Sequence, residues 1–249
     1  MKPLTLRRLG KHAPRIDSRT LKFAKYLTPL PVVPNSADWT LRVPAWLMYG
    51  NDQLGDCVEA AGAHTIQLWN SLNNPALPPI PEPTVIGWYS KVAGYVPGDP
   101  DTDNGTDMLS FLKFLRKWGY IAAYVALSPG SLSQMRMAVW LFGAAFVGVQ
   151  LPITAQNQTA WTVPGSLQGD GAPGSWGGHC IPVGAYNTIQ LPRNRNTVIT
   201  WGETLQMSDY FYQSYNDEAY AILGPEWFKL GVAPNGFNLA ALQADLAAL

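Results

Sequence analysis

The spacing of apolar residues changes character part-way along this chain, and that change restricts the folds open to it. Up to about residue 141 apolar positions recur at helical intervals. Beyond residue 144 they come in short, dense runs of strand type. Residues 54–72 carry Ala60, Ala61, His64, Leu68 and Leu72 at helical spacing and stop at Asn73-Asn74. Residues 84–92, 107–118 and 131–141 predict three further helices. The second of these has Met108, Phe111, Leu112 and Leu115 on one face and Gly119 as its stop. Strands are predicted over 144–151, 180–186, 197–201 and 218–223, and a last apolar helix over 238–249. Helices first and antiparallel strands second predict an α+β fold of two packed lobes. Prolines 75, 78, 79, 81 and 83 make residues 74–83 an irregular loop, and glycines 165, 169, 171, 174, 177 and 178 make residues 163–178 another.

Bulk composition excludes several classes of partner. The 249 residues are 47% hydrophobic, ample for a core, and balance 17 Lys and Arg against 17 Asp and Glu. A chain of zero formal charge has no overall field for nucleic acid or an anionic membrane, so neither partner is expected. No apolar stretch is long enough to span a bilayer. The first residues are basic (Lys2, Arg7, Arg8, Lys11, Arg15) with no apolar run behind them, so no secretory signal is expected. Residues 1–33, basic and then Pro-rich, read as an arm before a single domain over 34–249. That domain is expected to hold a helical lobe at about 45–130, a β lobe at about 131–224 and the helix 238–249. Two cysteines cannot build a disulfide framework.

One of those cysteines stands in the phrase Gly50-Asn51-Asp52-Gln53-Leu54-Gly55-Asp56-Cys57-Val58-Glu59, where a turn runs into the first helix. Asp56 reads as the N-cap and Glu59 as its capping-box partner, which makes Cys57 the first helical residue. Unpaired N–H groups and the helix dipole favour a thiolate there. A nucleophilic thiol needs a base. His12 lies in the arm. His64 is two turns along the same helix, about 10 Å away, and reads as a packed histidine. His179 opens a strand directly after the glycine loop, in Trp176-Gly177-Gly178-His179-Cys180. A helix-start cysteine and a strand histidine suit a thiol hydrolase.

Several stretches, in order, resemble the papain superfamily of cysteine peptidases. Pro34-Asn35-Ser36-Ala37-Asp38-Trp39 resembles the start of a mature domain, at the family's interval before Cys57. Gly105 and the helix leading to Gly119-Tyr120-Ile121 resemble the segment lining the substrate cleft. Gly178-His179-Cys180-Ile181-Pro182-Val183-Gly184-Ala185-Tyr186 resembles the histidine strand, and Thr200-Trp201-Gly202 resembles the Ser-Trp-Gly that follows the family's asparagine. The resemblance covers residues 34 to about 224. It implies a papain-like fold whose C-terminal lobe is an antiparallel sheet or barrel. It implies Cys57 as nucleophile and His179 as base, with Asn51 as oxyanion donor and Gln53 as the alternative. Gly105, Thr106, Met108, Gly178 and Trp201 are implied as substrate-binding residues, with an apolar main pocket at Met108. The resemblance also implies a peptide or protein substrate.

The chain departs from the family at three places. Ile199 stands where the asparagine that orients the histidine is expected, which leaves Thr200 as the candidate third member. Asp56 stands beside the nucleophile, and Cys180 follows the histidine. Two readings therefore stay open. One is a papain-like cysteine peptidase or amidase using a Cys57–His179 pair. The other is a non-catalytic papain-like structural or binding protein. The Asn-Asp-Gln-x-Gly-Asp-Cys phrase is similar to that of bacterial and phage papain-like proteins. It implies a virion-associated role, with the arm as contact for an assembly partner, beside the cytoplasmic location expected from reduced thiols and the missing signal. Cys57, His64, His179 and Cys180 lack metal-ligand spacing, and neighbouring strand residues point apart, so neither metal nor cofactor is expected. Asp99, Asp101, Asp103 and Asp107 lack the closing glutamate of a calcium loop and read as turn and cap residues.

Overall fold

Helix α1 (Cys57–Asn73) begins at the residue its sequence indicates. The capping box expected there does not form. Asp56 holds the N-cap position with φ −92° and ψ 23°, and its side chain accepts nothing from the helix. Side-chain capping needs an extended backbone at that position, and the preceding turn denies it. Most of α1 is buried, including Val58, Ala61, His64 and Leu68, because it lies between the lobes. Helices α2 (Glu82–Ala93), α3 (Met108–Lys117) and α4 (Leu132–Phe142) follow the expected periods. Asp107 caps α3 by accepting from the Ser110 N–H, and Ser131 caps α4 in the same way through Gln134. Left-handed glycines 94 and 143 close α2 and α4.

This architecture is a computed structural model that describes residues 7–27, 30, 32–189, 195–226 and 236–248. Its strands are β1 (Ser36–Asp38), β2 (Ala123–Ala126), β3 (Ala145–Leu151), β4 (Ala160–Trp161), β5 (Gly177–Asn187), β6 (Arg195–Thr200), β7 (Glu203–Ser208) and β8 (Asn216–Leu223). They form one sheet in the order β2-β8-β3-β5-β6-β7-β4, with β1 also on β5. Every pairing is antiparallel except β4 with β7. Helix α5 (Asp209–Tyr215) and helix α6 (Leu239–Ala247) complete the chain. The α+β, two-lobed architecture agrees with the sequence expectation. Strands β1, β2, β4 and β7 and helix α5 escaped it, since each is short or alternates weakly. Strand β2 joins the β-lobe sheet from within the stretch expected to be helical.

Two apolar cores result. One packs α1, α2 and α3 around Val58, Trp88, Phe111 and Leu112. The other lies against the sheet and includes Val147, Ile181, Trp161 and Phe211. Helix α1 packs directly on β5 where the two meet. The arm belongs to both halves. Residues 7–12 run extended between the lobes, Ala126 N–H donates to Leu21 O, and Phe23 and Tyr26 are wholly buried in the second core. Phe23 contacts Phe142 and Phe237 at ring-centre distances of 6.4 and 5.9 Å. Among the described residues no helix is long and apolar enough to cross a membrane.

Candidate active site

Cys57 is carried by the first turn of α1 and His179 by the start of β5, and these two elements pack together. The backbone N–H groups of Cys180 and Gly10 lie near enough to the Cys57 sulfur to favour its thiolate, which sets it between the start of β5 and the arm. His179 is buried. Its Nε2 lies 2.7 Å from Thr200 Oγ1, while its Nδ1 is buried without a hydrogen-bond partner. With its proton on Nε2 the imidazole donates to Thr200 and keeps a lone pair on Nδ1. The ring stacks on Trp201, 4.5 Å between centres and 14° between planes, and Trp201 in turn meets Trp161 and Trp176.

Thr200 comes to His179 through the hairpin that follows it. Thr200 ends β6 and pairs with Glu203, leaving Trp201 and Gly202 as a two-residue turn with φ of 47° and 68°. Positive φ at both residues is the turn that matches strand twist. Ile199, at the position matched to the family's asparagine, turns its Cδ1 toward Gly184 instead. Successive strand residues face opposite ways, so the residue after Ile199 is the one able to meet the imidazole.

The two amides expected at the thiol sit differently. Asn51 is buried, and its Nδ2 donates to Leu54 O at 3.0 Å within its own turn. Gln53 is exposed. His64 is a packed histidine bonded to Leu47 O at 2.8 Å, and burial lowers its pKa to about 4. His12 Nε2 meets Asn104 O at 2.6 Å at the cleft edge.

The arm fills the cleft, a feature that its basic, Pro-rich composition did not announce. Arg8 N–H donates to Asn51 O and Lys11 N–H to Gly178 O, each at 3.1 Å. Thr106 N–H donates to Gly10 O at 2.8 Å and His12 N–H to Thr106 O at 3.0 Å, so the arm and Thr106 pair as parallel strands. Trp201 Nε1 donates to Arg8 O, and the Arg7 guanidinium covers the Trp201 ring at 4.9 Å. A Cβ at Gly10 would overlap Gly55 O, and one at Gly105 would overlap Gly10 O. Two bare glycines thus let the arm lie flat across the start of α1. The arm therefore touches Gly105, Thr106, Gly178 and Trp201. The pocket at Met108 is filled by Lys11 and is acidic, not apolar. The Lys11 ammonium lies 2.8 Å from Asp217 Oδ2 and 3.1 Å from Glu218 Oε1.

Burial dominates the electrostatics. It pushes the Cys57 thiol up to about 12, assisted by Glu59 and Asp56 and opposed by the two backbone N–H groups. It pushes the His179 imidazole down to about 3, with the Arg7 charge acting in the same direction. Glu59 rises to about 8, chiefly through burial beneath the arm and partly through Asp107. Asp56 rises well above the carboxylate range through burial and then Glu59. With the arm in place both Cys57 and His179 are neutral at neutral pH. Among the described residues no group of His, Cys, Asp and Glu could hold a metal ion.

No protein-family model and no curated protein matches this sequence. Solved structures do match its fold. Xylellain, a cysteine protease from Xylella fastidiosa, superposes with a TM-score of 0.65 at 14% identity, covering 90% of this chain and 98% of that one. A digestive procathepsin L from the Tenebrio molitor larval midgut gives 0.61 at 12%, covering 88% and 77%. Bromelain from Ananas comosus, in complex with the E64 inhibitor, gives 0.55 at 14%, covering 77% and 100%. The fold is that of the papain-like cysteine proteases.

Proposed function

We propose that the protein is a papain-like cysteine peptidase or amidase whose cleft is closed by its own N-terminal arm. The reading rests on one observation above all: an extended peptide, residues 7–12, is held by main-chain hydrogen bonds to Asn51, Thr106 and Gly178, next to a buried helix-start cysteine and to the strand that carries a buried histidine. A groove that binds backbone in this way is suited to peptide substrates. With the arm displaced, water and substrate reach the pair and the desolvation of both groups is relieved. Cys57 then loses its proton to His179 Nδ1, and the thiolate attacks the substrate carbonyl carbon. His179 returns the proton to the leaving amine as the C–N bond breaks, and water releases the acyl group from sulfur. Thr200 holds Nε2 throughout, and the Cys57 N–H is the backbone donor to the oxyanion.

A second reading has its own support. Asn51 spends its amide inside the turn, and the arm is anchored by buried Phe23 and Tyr26. A permanently closed cleft is the form expected of a non-catalytic structural or binding protein, including one within a phage particle. Alkylation separates the two. In Gly10→Ala protein at pH 6, iodoacetamide is expected to modify Cys57, read by peptide mapping, at least tenfold faster than glutathione. His179→Ala in that background removes the excess. A Cys57 no faster than glutathione, with no dependence on His179, sinks the hydrolase reading.

A further inference from the structure

We infer that the pocket filled by Lys11 is a subsite for a basic side chain, so that the peptides this cleft takes carry lysine or arginine at that position. The inference rests on the hydrolase reading for its use in catalysis, though not for binding. The Lys11 side chain is fully buried. Its ammonium contacts Asp217 and Glu218 and also donates to His12 O at 2.9 Å.

The pocket is built by residues other than the lysine. Gln150 Nε2 holds Asp217 Oδ2 at 2.6 Å, and the Tyr220 hydroxyl donates to Glu218 Oε2 at 3.0 Å. Asn216 Nδ2 donates to the Gly148 and Glu218 carbonyls, which fixes the β3–β8 bulge beneath the pocket. Gly148 makes the room. A Cβ there would overlap Lys11 Cε and come within 2.8 Å of Met108 Sδ and 2.9 Å of Asp217 Oδ1.

When the arm leaves, two acids so positioned have lost their cation. A substrate lysine or arginine restores the pairing. A leucine leaves the two carboxyls facing hydrocarbon, which disfavours it. Lys11 follows Gly10, whose backbone lies near the Cys57 sulfur, so the selected side chain lies one residue along the arm from the thiol.

The test uses Gly10→Ala/Lys11→Ala protein and two fluorescein-labelled octapeptides. One has the sequence of residues 7–14, and the other carries leucine in place of its lysine. Fluorescence anisotropy is expected to give at least tenfold tighter binding of the lysine peptide, and Asp217→Asn/Glu218→Gln is expected to abolish the difference. Equal affinities, no binding of either peptide, or a preference that survives neutralisation overturns the pocket. Internally quenched peptides containing X-Ala-X, which place X on both sides of the residue at the thiol, then report on catalysis, with X as Lys, Arg, Leu or Glu. Faster cleavage at Lys and Arg supports the inference, and faster cleavage at Leu overturns it while the hydrolase reading stands. If binding prefers lysine but no amide is cleaved and Cys57 alkylation ignores His179, the hydrolase reading fails and the pocket remains. Should the double variant not fold, Lys11→Ala alone serves. n-Butylammonium, but not n-butanol, raises its melting temperature, and equal effects overturn the proposal.

Discussion

Thr200 Oγ1 lies 2.7 Å from His179 Nε2, and with the proton on Nε2 a hydroxyl suffices as its acceptor. Its removal leaves a buried N–H unsatisfied and the tautomer undirected. Thr200→Val is therefore expected to slow His179-dependent alkylation of Cys57 about tenfold in the Gly10→Ala background, while Thr200→Ser retains most of the rate. A Val variant as fast as its parent refutes the positioning role. Glu59 makes a different demand. Its pKa is raised from 4.5 to about 8, so between those values the folded state binds the proton that the unfolded state has lost. Glu59 thus lowers stability progressively as pH rises from about 4.5 to about 8. Glu59→Gln is expected to gain on the wild type by on the order of 4 kcal/mol at pH 8, from ~1.4 kcal/mol per pKa unit, and to gain little at pH 4. Urea unfolding at the two pH values measures the difference, and a gain independent of pH rejects the assignment.

The arm segment over residues 7–12 acts as an added strand whose contacts tolerate no side chain at its centre. Gly10 lies against the Gly55 carbonyl and Gly105 against Gly10, so one methyl group at Gly10 pushes the segment off α1. Gly10→Ala is expected to raise the iodoacetamide rate at Cys57 at least tenfold over wild type at pH 7, while Lys11→Arg, which keeps the charge, leaves it near the wild-type value. An unchanged rate in Gly10→Ala shows that the arm does not guard the thiol. The same segment shows where sequence reading stops. The helix period of α1 and the runs of β3, β5 and β8 are legible because each buries one face or both. An arm that binds by backbone hydrogen bonds leaves no periodic trace.

Across the whole molecule, the arm couples the cleft to the β-lobe core. Phe23 is fully buried against Phe142 and Phe237, and Tyr26 reaches Asp245 of α6 at 2.6 Å. Cutting the chain between residues 12 and 23 would free the cleft segment without disturbing that anchor. Phe23→Ala is expected to cost about 3–5 kcal/mol by guanidinium unfolding, the range for a buried aromatic truncated in a packed core. A loss below ~1 kcal/mol indicates that the arm is not part of the cooperative unit.

Residue pattern alone determined the α+β order, the start of α1 at Cys57, the packed role of His64 and the identity of a cysteine and a histidine worth pairing. These are local matters of period, cap position and spacing. Only the tertiary structure decided that Thr200 and not Ile199 meets His179, since strand register and the Trp201-Gly202 turn set which side chain faces the imidazole. It likewise decided that Asp56 and Glu59 are buried acids rather than a capping box, and that the Met108 pocket is acidic. Asp217 and Glu218 are 160 or more positions from Cys57 in the chain, and only folding buries Lys11 against them.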